Sequence, residues 1–265
     1  KDFFYEKREK HYLTKKIINK PTKIVDIFNL FVEMEAQKNK NSFILDHSPS
    51  NIHFISEIIN FVPQSKFIIM IRHPKNYLLS KKNMWKRRFL SKNKSIPLIE
   101  SFRQYSSYNP FIIAYLYNSS YKHVINNANF ESSLFVKFED LIQENEKLVK
   151  KLCSFLDIDF DKNMLNIKKI GSSNTEDSSE IGFNENVLNT DNKNELNNTE
   201  LKIIEYINSS IMDSFGYNKS KGKFNFFLTA YYFIILILQL PIILILNLKF
   251  HQNIFYSFHR RFIKT

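Results

Sequence analysis

Apolar residues recur along the chain at spacings that change in a regular order. Ile24, Ile27, Phe28, Phe31 and Val32 mark one face of a lysine-rich segment ending near Met34, which predicts a helix. Ser42–Asp46 is a short apolar run of strand length. Ser48-Pro49 then reads as an N-cap and first-turn pair, with Ile52, Ile55, Ile58, Ile59 and Val62 repeating at helical spacing up to Pro63. Lys66–Arg72 (KFIIMIR) is a continuous apolar run, the kind buried on both faces of a parallel sheet. A basic helix follows from about Pro74 to Ser91, then aromatic-rich helices across 98–128. Leu134–Phe138 is the next strand, followed by Glu139-Asp140-Leu141 and a helix ending near Leu156. Residues 171–198 read as a polar loop, and Glu200–Phe215 as a closing helix stopped by Gly216. Strands and helices in alternation predict an α/β fold with a parallel sheet flanked by helices.

The pattern breaks after that. Phe226–Leu248 carries no charge, is bracketed by Lys223 and Lys249, and is long enough to cross a bilayer. The expectation is a domain over 1–217 and a tail over 218–265, with a transmembrane or membrane-embedded segment at 226–248. Pro241 offers a kink or a re-entrant turn. Basic flanks on both sides leave the orientation open, and which membrane is involved is not legible.

Composition removes whole classes of chemistry. The chain has 4 glycines in 265 residues, and none before Gly171. A Walker-type loop, a GxGxxG turn and a GxSxG elbow each need backbone that only glycine allows. No HExxH or cysteine–histidine cluster is present, so no metal is expected. The lone Cys153 forms no internal disulfide and reads as a small core residue.

The net charge of +12 is concentrated. Residues 58–99 hold ten basic side chains and residues 217–265 hold seven, with no acidic residue in either stretch. Such a patch points to an anionic partner. Arg72 falls at the carboxyl end of a strand, where open α/β sheets bind ligands. Its planar fork matches a phosphate, and the Ser80 hydroxyl on the next helix is a donor to the same group. Lys81, Lys82, Lys86, Arg87 and Arg88 add to the field. From the residues alone, the ligand is phosphorylated.

Three segments stand in fixed order: Asp46-His47-Ser48-Pro49-Ser50-Asn51, then Ile71-Arg72-His73-Pro74 with Ser80, then Phe138-Glu139-Asp140-Leu141 with Phe155-Leu156-Asp157-Ile158. Together they resemble the sulfotransferases that use 3′-phosphoadenosine 5′-phosphosulfate (PAPS), in their bacterial and Golgi-like branch. The resemblance covers roughly residues 42–217 and implies a P-loop-NTPase-like fold. It implies that Arg72 and Ser80 hold the 3′-phosphate of PAPS or of its product PAP. It also implies transfer of a sulfuryl group to a hydroxyl or amine of a sugar, lipid or peptide. His47 stands where that branch usually has lysine. In the cytosolic branch a histidine two residues before proline is the general base, which makes His47 the catalytic candidate. Asp46 orients His47 or caps the helix, and Glu139-Asp140 reads as structural. Trp85 and Phe89 either stack on adenine or belong to the core.

The family's glycine-containing 5′-phosphosulfate loop does not occur before the first segment. The expectation is an N-terminally truncated chain, the other option being a degenerate member. Two rival classes follow from the same features. One is a nucleic-acid-binding protein built on the basic stretch, although no nucleic-acid module matches and no nucleic-acid partner is expected. The other is a catalytically inactive, membrane-anchored scaffold.

Overall fold

The computed structural model describes residues 45–90, 96–128, 131–169, 180–183, 185, 188 and 196–247. The helix expected before Met34, most of the Ser42–Asp46 strand and most of the 171–198 loop lie outside the described residues. The chain divides into two compact units, 1–63 and 64–265.

In the first unit, Ser48-Pro49 begins a 3₁₀ turn, Pro49–His53, and the α-helix α1 (Ile55–Phe61) follows. Ser48 occupies the N-cap position but makes no side-chain cap bond. Asp46 holds the turn instead. One carboxylate oxygen accepts from the Ser48 amide at 2.9 Å and from its hydroxyl at 2.7 Å, and the other from the Asn51 amide group at 2.8 Å. A serine has one hydroxyl to place, whereas an aspartate two residues earlier accepts on both oxygens. Val62 caps α1, and Pro63 stops it as its missing N–H requires.

The second unit begins with β1 (Phe67–Ile71), which leads into α2 (Pro74–Asn83), a 3₁₀ turn (Met84–Lys86) and α3 (Arg87–Leu90). Helices α4 (Leu98–Ser106) and α5 (Pro110–Asn127) carry the chain back to β2 (Ser133–Lys137). The strands are parallel, in register from Phe67 opposite Ser133 to Ile71 opposite Lys137. Ile69 and Ile71 are buried, but Met70 between them is 39% exposed. The expectation of burial on both faces therefore holds for one face only. Period-two alternation puts Met70 on the face left open.

Beyond β2 lie α6 (Phe138–Gln143), α7 (Asn145–Leu156), α8 (Asn198–Ile207), α9 (Ser209–Ser214) and α10 (Phe226–Asn247). Lys66, just before β1, donates to the Phe155 carbonyl at 2.8 Å and pairs with Asp157, tying the strand to the end of α7. Asp157 takes a left-handed φ of 58°, the conformation that closes a helix. Cys153 is buried on α7 beside Met164.

The closing helix is split rather than continuous. Fully buried Asn208 turns its side-chain amide to the carbonyls of Ala114 and Ile204, and the chain bends there between α8 and α9. Gly216 ends α9 at φ 64°, as expected. The main core packs Leu78 and Leu79 of α2 against Ile113 and Ala114 of α5 and Ile203 and Ile204 of α8.

One buried carboxylate fastens these helices. Glu200 is 1% exposed and accepts from Lys82 at 2.7 and 2.9 Å and from the Tyr108 hydroxyl at 2.7 Å. It also closes a reciprocal capping box with Asn197 at the start of α8. Removing one partner of a buried ion pair costs about 3–5 kcal/mol. Glu200→Ala is expected to lose that much in denaturant unfolding, and Glu200→Gln, which keeps the box, distinctly less.

Candidate functional site

The carboxyl ends of β1 and β2 meet at Arg72 and Glu139. Arg72 is the first residue past β1, and its carbonyl accepts the Tyr117 hydroxyl from α5 at 2.7 Å. Its guanidinium lies over the Phe138 ring at 4.9 Å. The Arg72 Nε is buried and has no hydrogen-bond partner among the described residues. Burial lowers the Arg72 pKa from its ordinary value and the charge of Glu139 opposes that shift. An arginine stays cationic in either case.

Glu139 holds the turn that Arg72 begins. One of its oxygens accepts the His73 amide at 2.9 Å and, more loosely, the Asn76 side chain at 3.5 Å. The other accepts the Tyr217 hydroxyl at 3.0 Å. The carboxylate thus joins β2, the start of α2 and the segment after α9. This matches the structural reading of Glu139 in the sequence. Burial and Glu139 push the Tyr217 hydroxyl far above its ordinary pKa, so it remains a donor.

His73 is the N-cap of α2. Its Nδ1 accepts the Lys75 amide at 3.2 Å, which leaves the proton on Nε2, 3.3 Å from the Asn218 carbonyl. The ring packs on Tyr217 at 4.8 Å. Ser80 lies on α2 one turn beyond Asn76 and Tyr77, sharing their face. Asn76 touches Glu139 and Tyr77 packs on Tyr117, so that face borders Arg72. Ser80 is half-buried, and its hydroxyl makes no hydrogen bond among the described residues. A half-buried cation with an open Nε at the strand end, and a hydroxyl on the helix that follows, are groups an anion such as phosphate can take up.

The basic stretch is not uniformly available. Lys82 is bound to Glu200, and Arg88 donates to the Ile96 carbonyl. Lys81 lies over the Tyr77 ring at 5.4 Å, its pKa lowered by burial and then by Arg103. Trp85 packs on Tyr105 and Phe89. His47, in the first unit, is exposed and makes no hydrogen bond among the described residues. Asp46 turns its oxygens to Ser48 and Asn51, so of its two expected roles it performs the capping one. Among the described residues no cluster of histidine, cysteine, aspartate or glutamate could hold a metal.

Three supports of the site were not singled out in the sequence: Tyr117, Tyr217 and the ring of Phe138. Phe138 did stand in the quoted Phe138-Glu139-Asp140-Leu141 motif. The two tyrosines are distant in sequence and carry no local signal.

The sulfotransferase family model matches residues 12–162, more than half of the chain, and the chain belongs to that family. It is also similar to the sulfotransferase domain from the curacin biosynthetic pathway, at 15% identity and a TM-score of 0.41. That likeness covers 73% of this chain and 69% of that one. No curated protein matches it.

His73 gives the site a pH dependence. Burial, the leading cause, lowers its pKa below the ordinary histidine value, so the unfolded chain binds the proton more readily. The Asn218 carbonyl, Glu139 and Glu205 oppose the shift, and Lys75 adds to it. Stability is therefore retained above the unfolded pKa and falls as pH drops through the depressed folded value. His73→Asn, which keeps an N-cap acceptor, is expected to flatten the melting temperature profile between about pH 7 and pH 5.

Proposed function

We propose that this chain moves a sulfuryl group from PAPS to a hydroxyl or amine of a sugar, lipid or peptide. The observation that carries the reading is half-buried Arg72 at the end of β1, its Nε buried and unpartnered among the described residues, with the Ser80 hydroxyl on the helix that follows also making no hydrogen bond among them. In this reading Arg72 and Ser80 grip the 3′-phosphate of PAPS, and PAPS supplies the activated sulfuryl group. The remainder of the site keeps that cation in place: Tyr117 fixes its carbonyl, Phe138 supports its plane, and Glu139 holds the turn behind it. No metal takes part in the proposed reaction. Cationic and hydrogen-bonding groups meet the charge that develops on the transferred group.

His47 is the proposed general base, removing the acceptor's proton as it attacks sulfur. A neutral imidazole nitrogen can accept a hydroxyl proton as the oxygen attacks. Asp46 supports it indirectly, by fixing the turn in which His47 lies. Residues 1–217 form the transferase part in this reading, and the tail over 218–265 attaches it to a membrane. The nucleic-acid reading loses support, because Lys82 and Arg88 are engaged within the fold.

Calorimetry of the full chain in detergent with PAP and AMP tests the phosphate assignment. Charge-assisted bonds to phosphate are worth about 1.5–3 kcal/mol, so Arg72→Ala is expected to weaken PAP binding ~10–150-fold. Ser80→Ala costs less, and AMP binds weakly and responds to neither change. Equal affinity for PAP and AMP overturns the assignment.

His47→Ala tests the base. Turnover is expected to drop by the ~10²–10⁴ that general bases contribute, with PAP affinity retained. Loss of PAP binding by the same substitution would make His47 a ligand contact.

A further inference from the structure

Helix α4 is amphipathic in the wrong sense for a water-soluble domain. Its apolar residues Leu98, Ile99, Phe102 and Tyr105 form one stripe at helical spacing, yet they are 63, 66, 55 and 62% exposed. The opposite side holds buried Ser101 and the half-buried polar residues Arg103 and Gln104. Arg103 and Gln104 both donate to Glu100, and Arg103 forms an ion pair with it. A stripe of this size turned outward marks a surface that something apolar covers.

That surface continues into α10, because α4 packs against α10. Helix α10 is held along the domain by its polar residues. Tyr232 accepts from the Asn197 side chain at 2.8 Å through its hydroxyl, and from Asn109 at 3.1 Å through its carbonyl. Two turns later Gln239 accepts from Asn109 at 3.2 Å and donates to the Tyr108 carbonyl at 3.4 Å. Phe233 packs on Phe111 at 6.0 Å. The other side of α10 exposes Phe227, Tyr231, Ile234, Leu238 and Ile245.

These contacts conflict with a helix that crosses a bilayer. Gln239 is still bonded to the domain, and charged Lys249 follows ten residues later. The helix described runs eight residues past Gln239, a rise of about 12 Å against the ~30 Å hydrocarbon core. To cross, the tail would have to carry Tyr108, Asn109 and Asn197 into hydrocarbon with it or break their bonds.

We infer that α4 and α10 form one membrane-binding surface that lies in the plane of an anionic bilayer, with the tail embedded along one leaflet rather than spanning both. Charge supports this occupant over a second copy of the chain. Lys86 and Arg87 belong to the 3₁₀ turn and the short helix that pack on α4, and neither has a carboxylate partner among the described residues. They lie in a stretch, 58–99, with no acidic residue at all. Basic residues flanking an apolar helical face match anionic headgroups. The inference rests on the membrane attachment in the proposed function, and it specifies the geometry.

The test uses the full chain reconstituted in phosphatidylcholine–phosphatidylglycerol vesicles, with Trp85→Phe and Phe102→Trp as a reporter and a tag after Thr265. Three results are expected. Alkaline carbonate leaves the protein in the membrane fraction. Lipids brominated near the headgroup quench the tryptophan, as for a face buried ~5–10 Å. Protease added to sealed vesicles removes the tag from molecules whose domain is also accessible. In the full chain, Ile99→Glu is expected to lower the headgroup quenching of the reporter severalfold.

The failures are separable. Complete release by carbonate overturns membrane attachment itself. A protected tag beside an accessible domain shows a spanning tail and overturns the in-plane geometry. An unquenched reporter on membrane-retained protein removes α4 from the surface. A reporter whose emission follows protein concentration rather than lipid assigns the face to a second copy and overturns the proposal.

Discussion

Everything at the candidate site depends on the Glu139 carboxylate. It stands where β2 gives way to α6 and accepts the first free amide beyond Arg72, that of His73, at 2.9 Å. A parallel pair of strands has no turn joining its ends, so something else must fix where the two carboxyl ends diverge. Glu139 does so with one oxygen, and with the other it recruits Tyr217 from far along the chain. The charge also offsets part of the cost of burying Arg72 beside it. Without this carboxylate the arginine would retain its strand but lose the geometry of the turn that aims it.

The sequence made the strands legible because they are short, apolar and bounded by turn residues. KFIIMIR and Leu134–Phe138 became β1 and β2 within a residue or so. Arg72 was legible for the same reason, since it interrupts an apolar run at its end. The local signals were less reliable where side chains compete for the same backbone. Ser48 was the expected cap, but Asp46 has two acceptor oxygens and took the bonds. The closing helix looked continuous, yet Asn208 found the Ala114 carbonyl on another helix. Such partners are distant in sequence, and so are Tyr117 and Tyr217.

The basic stretch shows a further limit of composition. Counted in the sequence, its charges form one field. Placed in the fold, they are divided among different tasks. Lys82 satisfies Glu200, Arg88 meets the Ile96 carbonyl, and Lys66 closes the end of α7. Arg87 is exposed and Lys86 half-buried beside α4. The charge of a segment therefore says that anions matter, while hydrogen-bond accounting says which cations are left to bind them.

By that accounting Arg72 stands apart. The ion pairs at Lys82–Glu200, Lys202–Glu205 and Arg103–Glu100 each bring a cation within 3.1 Å of its carboxylate. Arg72 has Glu139 nearby as a charge, yet its Nε donates to nothing. A buried polar group without a partner costs about 1–3 kcal/mol. The fold carries that cost where Tyr117, Phe138 and Glu139 all converge on one residue. A hydrogen-bond acceptor reaching this Nε would meet a donor already buried and already oriented, so the contact would recover the cost instead of adding to it.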